Sequence, residues 1–160
     1  MNTSAPAASH RSAGSVALTE GIHVTVRPAF IPEQSSSDRD EFVFAYHITI
    51  ANEGESPMTL MTRHWRVIDS DGVLREISGE GVVGHQPTLA PGESFEYASF
   101  CVLRTRWGTM EGTYEMHRPD GSRFHAAIER FYLVAPAGFT EPDDALAAAD
   151  DSDALDADAN

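Results

Sequence analysis

The chain has 160 residues, enough for one domain, and 41% of them are hydrophobic, which allows a central core. Its formal charge is −14, from 25 acidic and 11 basic side chains, and every basic residue is an arginine. Setting aside eight acids in the last 24 residues leaves 17 acids against 11 bases, so the body still repels polyphosphate and a nucleic-acid partner is not expected.

Residues 1–18 are rich in Ser and Ala and poor in large apolar side chains, so they are expected to be disordered. No apolar run is long enough for a signal peptide or a membrane span, which points to a soluble cytoplasmic protein with no membrane partner. From Gly21 onward, Ile22, Val24 and Val26 alternate with His23, Thr25 and Arg27, the pattern of a half-buried strand. After a polar loop, Phe42, Phe44, Tyr46, Ile48 and Ile50 line one face of a longer strand that ends at Asn52-Glu53-Gly54. Residues 58–68 form the next strand, and its apolar phase slips near Arg63 and His64, where a bulge is predicted.

Asp69-Ser70-Asp71-Gly72 is a hairpin turn leading into a short return strand over 73–77. A glycine-rich loop is expected over 78–87, and Ala90-Pro91-Gly92-Glu93 suits a type II turn. Phe95, Tyr97, Ser99 and Cys101 then share one strand face, and Met110, Gly112, Tyr114 and Met116 share another. Cys101 is the one cysteine, so neither a disulfide nor a cysteine-rich zinc site can form, and an apolar setting makes it a buried, inert thiol. Phe124, Ala126 and Ile128 are followed by Phe131 and Leu133 in shifted phase, so a bulge is predicted at Glu129–Arg130.

Pro119-Asp120-Gly121 suits a three-residue hairpin loop, which would pair Met116 with Phe124, Tyr114 with Ala126, Glu115 with His125 and His117 with Arg123. Seven or eight short strands with no helical period indicate an all-β antiparallel sandwich over 19–136. Residues 137–160 form an acidic tail with too little apolar surface to fold alone.

Val82, Gly84, Pro87, Leu89, Pro91, Gly92, Phe95, Tyr97 and Ser99, followed by Leu103, Thr105, Gly108, Met110, Gly112, Tyr114 and Met116, carry a resemblance. With Thr62-Arg63-His64-Trp65 upstream and Phe124, Ile128, Phe131 and Leu133 downstream, the chain resembles the ApaG domain family over roughly residues 21–136. That resemblance implies an immunoglobulin-like, fibronectin-type-III-like sandwich. It also brings a family glycine motif, a link by name to a neighbouring dinucleoside-tetraphosphate hydrolase gene, and a link to cobalt tolerance and magnesium efflux. Domains of this kind occur as modules in F-box proteins and in a polymerase-delta-interacting protein, which suits a role in protein contact.

Three clusters are candidates for chemistry. Gly79, Gly81 and Gly84 match G-x-G-x-x-G, whose backbone amides can approach a phosphate, although no helix opens after them and Glu80 opposes an anion. Against this stands a loop that merely turns tightly between strands. Glu115, His117 and His125 come together in the hairpin register and suit a divalent cation, against the alternative of a solvated sheet face. Arg104, Arg106 and Trp107 are residue types that dominate protein interfaces, whereas Trp65 is expected in the core. No G-x-S-x-G or HExxH occurs, and the carboxylates are scattered, so no enzyme activity and no cofactor is expected.

These residues support a non-enzymatic module for contact with an as yet unspecified protein, with homodimer formation through an open sheet edge as one form. The alternative is a small-ligand sensor or carrier for a divalent cation or a phosphorylated compound.

Overall fold

The computed structural model describes residues 13–139. Nine strands follow one another: β1 (Ser15–Thr19), β2 (Ile22–Phe30), β3 (Phe42–Asn52), β4 (Met58–Asp69), β5 (Leu74–Glu80), β6 (Thr88–Leu89), β7 (Ser94–Leu103), β8 (Trp107–His117) and β9 (Arg123–Val134). They form two antiparallel sheets packed as a sandwich. One has the order β1-β2-β3-β7, and the other β5-β4-β8-β9 with the short β6 also on β4.

Alternation places the core where the sequence puts it. Ile22, Val24, Val26, Phe44, Tyr46, Ile48 and Ile50 from one sheet meet Leu60, Trp65, Val67, Met110, Tyr114, Ile128 and Phe131 from the other. Trp65 sits at the centre, with ring centroids of Tyr46, Phe131 and Tyr114 at 5.5, 6.0 and 6.4 Å. Burying this aromatic group contributes on the order of 2 kcal/mol per large side chain before entropy is counted. Polar groups at the strand ends are also satisfied. Buried Asn52 donates to the carbonyls of Ser56 and Leu89 and accepts from the amide of Gly54.

Four expectations need correction. Residues 15–18 belong to the domain, because β1 pairs with β2 from Ser15 to Thr19, and short Ser, Ala and Thr side chains suit its covered side. At the other end, Phe139 packs edge-on against Phe30 at 5.0 Å, so the domain extends past residue 136. The rest of the expected disordered segments, the acidic tail included, lies outside the described residues. The β4 bulge falls between Leu60 and Thr62 rather than near Arg63–His64. Arg63 pairs with Tyr114 and shares the inward phase of Trp65, which a purely hydrophobic pattern cannot register. Finally, β5 continues to Glu80, so Gly79 lies in a strand and only residues 81–87 form the loop.

The β8–β9 hairpin matches its expected register throughout, including Met116 with Phe124 and Tyr114 with Ala126. The amide of Arg118 donates to the carbonyl of Ser122 across the Pro119-Asp120-Gly121 loop, and Gly121 has φ 89°. Glu129 and Arg130 together face Glu111, which is the β9 bulge.

Candidate functional site

The glycine segment is built around an arginine that points inward. Arg63 pairs with Gly79 across β4 and β5, and its guanidinium lies over that glycine. A Cβ on Gly79 would stand 2.8 Å from Arg63 Nη2. The Arg63 Nη1 donates to the carbonyls of Glu80 at 3.0 Å and Gly81 at 2.8 Å, so the side chain clamps the exit of β5. Gly81 has φ 64°, and a Cβ there would meet the His85 carbonyl at 2.3 Å. Val82 and His85 then exchange both backbone hydrogen bonds around Val83 and Gly84, whose φ values are 42° and 83°. That is a two-residue turn of the I′ kind, with a strained β-branched residue at its exposed tip.

Each glycine of the motif therefore has a structural role: room for Arg63, room for the His85 carbonyl, and positive φ at the tip. The amides of Gly81, Val82 and His85 donate to the carbonyls of Met61, His85 and Val82, so the Gly81 amide is committed to β4.

Beneath Arg63, Tyr97 and Tyr114 share a hydroxyl hydrogen bond of 2.5 Å across the sandwich. Burial pushes both phenols well above their ordinary value; Arg63 offsets this in part. Cys101, nearby on β7, is free and buried, and desolvation pushes its thiol up to about 11 against the pull of Arg75.

The expected cation site is only half assembled. His117 Nε2 lies 3.2 Å from Glu115 Oε2, but the same oxygen accepts from Arg123 at 3.2 Å, and Glu115 Oε1 accepts from Thr62. His125 is exposed opposite Glu115 on β9. Among the described residues, no group of three or more His, Cys, Asp and Glu side chains is placed to hold an ion. The His117 hydrogen bond, with smaller help from Thr62 and Arg123, holds the Glu115 carboxyl below its ordinary value. A guanidinium already occupies the carboxylate that a cation would need.

The arginine–tryptophan cluster lies at the corner between β7 and β8. Trp107 opens β8 and is 47% exposed, and Arg104 and Arg106 are exposed beside it. Arg106 is anchored over the Phe42 ring at 5.3 Å, and its carbonyl accepts from the amide of Ala135. Trp107 pairs with Val134, and Thr109 with Tyr132, so Trp107, Val134 and Tyr132 are neighbours on the outer face of the sheet. Tyr132 and Val134 remain 42% and 55% exposed. Sequence reasoning missed them, although the alternation that buries Phe131 and Leu133 also turns these two outward.

Comparison with known proteins gives a consistent result. Residues 32–118 match the model of the ApaG domain. The chain is 53% identical over 122 residues to Protein ApaG of Anaeromyxobacter dehalogenans, covering 76% of this chain and 96% of that protein. It is 52% identical over 120 residues to Protein ApaG of a Methylobacterium species, covering 75% and 92%. Among solved structures, the ApaA protein of Bordetella pertussis superposes with a TM-score of 0.72 at 42% identity, over 76% of this chain and 98% of that one.

Proposed function

The chain belongs to the ApaG domain family, and from that premise we propose that it is a non-enzymatic β-sandwich module that binds another protein in the cytoplasm through the corner around Trp107. The observation that carries this reading is the cluster of Trp107, Tyr132 and Val134, three large side chains exposed together beside Arg104 and Arg106. Aromatic and arginine side chains grouped on a rigid sheet supply contact area at low entropic cost, and a grouped apolar patch marks an interaction surface. The family's link to cobalt tolerance and magnesium efflux then runs through a protein partner.

The small-ligand alternative has less support. The Gly81 amide is already bonded to the Met61 carbonyl, and Arg123 and Thr62 already bond Glu115.

Replacing Trp107 and Tyr132 together by Ser separates the readings. The contact module predicts an unchanged fold and at least about a tenfold loss of partner capture from native cell extract. A ligand carrier predicts unchanged capture, with a melting temperature that rises on adding Co²⁺ or a nucleotide.

A further inference from the structure

The sandwich has four principal sheet edges, of which two are closed and a third carries charge. β1 and β9 are tied together: the Ser15 hydroxyl donates to the Glu129 carbonyl at 2.6 Å, and the amide of Ala127 donates to the Thr19 hydroxyl at 3.1 Å. The β5 edge carries Glu76 and Glu80, charges of the kind that discourage strand pairing. The β7 edge is different. β7 pairs with β3 alone, and no strand lies on its far side among the described residues.

Arg75 Nη2 donates to the Val102 carbonyl at 3.0 Å, which shows that Val102 points its backbone toward the free edge. Alternation then directs the backbone N–H and C=O groups of Phe100, Ala98 and Glu96 the same way. From Glu96 to Phe100 the edge contains no proline or bulge, and its one charge, Glu96, turns to His47 at 3.2 Å on the outer face.

Across from this edge lies the inner face of β5. The register places Arg75, Ile77 and Gly79 on that face, because they pair with Val67, Trp65 and Arg63. Ile77 is only partly covered, and the Arg63 guanidinium lies across Gly79. Arg63 and Arg75 donate to backbone carbonyls and to the Cys101 sulfur, and among the described residues neither forms an ion pair with a carboxylate. Arg63 Nε is buried without a partner. In a chain with 25 acids, two uncompensated guanidinia flanking an apolar side chain mark the seam.

We infer that the β7 edge is a vacant strand position that accepts an extended acidic segment of a partner protein. Its backbone pairs with Glu96, Ala98 and Phe100, while carboxylates at i and i+4 meet Arg75 and Arg63 on either side of an apolar residue over Ile77. Main-chain bonds supply affinity and the two arginines select the charge, the logic of strand addition. The site lies apart from the Trp107 corner and does not depend on it.

The test uses the full chain and two acetylated, amidated pentapeptides, Glu-Thr-Val-Thr-Glu and Lys-Thr-Val-Thr-Lys. Amide exchange at Glu96, Ala98 and Phe100 should slow by at least about fivefold with the acidic peptide and not with the basic one. Ala98→Pro removes an edge donor without touching the β3 ladder, and Arg75→Leu removes one selecting charge. Each should weaken the acidic peptide by about tenfold, while Trp107→Ala leaves its binding unchanged.

Equal protection by both peptides, protection by neither, or undiminished binding by Arg75→Leu would overturn the inference. So would protection that appears without peptide, whether it grows with protein concentration (a second copy on the edge) or vanishes on deleting residues 140–160 (the chain's own tail).

Discussion

The two hairpins of the larger sheet are held by different forces. In β8–β9, core side chains alternate without exception on each side of the bulge, and a Pro-Asp-Gly loop sets the register. In β4–β5, the strands are fixed by an inward guanidinium, a bare glycine beneath it and a strained two-residue turn beyond. The first hairpin tolerates change at its alternating core positions wherever volume is kept, but not at Gly108 or Gly112, where a Cβ would meet the Ile68 carbonyl at 2.7 Å and the His64 carbonyl at 2.1 Å. The second depends in addition on the hydrogen bonds of one side chain and on positive φ at Gly81, Val83 and Gly84, so its failures should be sharper in residues 81–87.

Gly81→Val should break the comparison most strongly. A Cβ would meet the His85 carbonyl at 2.3 Å, at a positive φ that a β-branched residue resists. A loss of more than about 3 kcal/mol in urea unfolding is expected, with no dependence on added nucleotide. Next is Arg63→Met, which fills similar space but strands the carbonyls of Glu80 and Gly81. It should cost about 2–3 kcal/mol and speed amide exchange in residues 81–87 more than in the β8–β9 loop.

Tyr97→Phe leaves the fully buried Tyr114 hydroxyl without its partner and should cost about 1–3 kcal/mol. Pairing it with Tyr114→Phe should cost less than the sum of the two, because no hydroxyl is then orphaned. The same pair sets an alkaline limit. Both phenol pKa values are raised by folding, so their contribution is present below the ordinary tyrosine value near 10 and is lost as pH rises beyond it. The double variant should flatten that loss of stability above about pH 10.

The smallest effects have opposite signs. Gly121→Ala, at φ 89° in the regular hairpin, should destabilise by about 1 kcal/mol, whereas Val83→Gly at φ 42° should stabilise by about 0.5–1 kcal/mol. Melting curves of both variants would show whether the strain lies where the backbone places it.

The same contrast explains what the sequence makes legible. Hydrophobic period and turn chemistry specify β3, β8, β9 and the Glu129–Arg130 bulge, because there the buried residues are apolar and the loops carry Gly and Pro. The slip in β4 is misplaced by two residues because Arg63, a charged side chain, occupies an inward position. β1 escapes notice because its large side chains, Val16 and Leu18, face outward and its covered side is small. At the candidate sites, alternation along β8 places Glu115 and His117 on one face and pairing brings His125 and Arg123 beside them, but which cation turns to the carboxylate is a rotamer outcome that the pattern does not specify. Trp107 is legible as an interface residue type, and its neighbours Tyr132 and Val134 follow once β9 is read for its outer face as well as its core.

Photo-cross-linking tests the contact corner most directly. A photoreactive benzoylphenylalanine is placed at Trp107, at Tyr132, or at Ala29, which is exposed on the outer face of the other sheet. Irradiation in the native cell should yield one shared protein adduct from positions 107 and 132, and none of that mass from position 29. No adduct from 107 and 132, or the same adducts from all three, would contradict a protein contact at this corner.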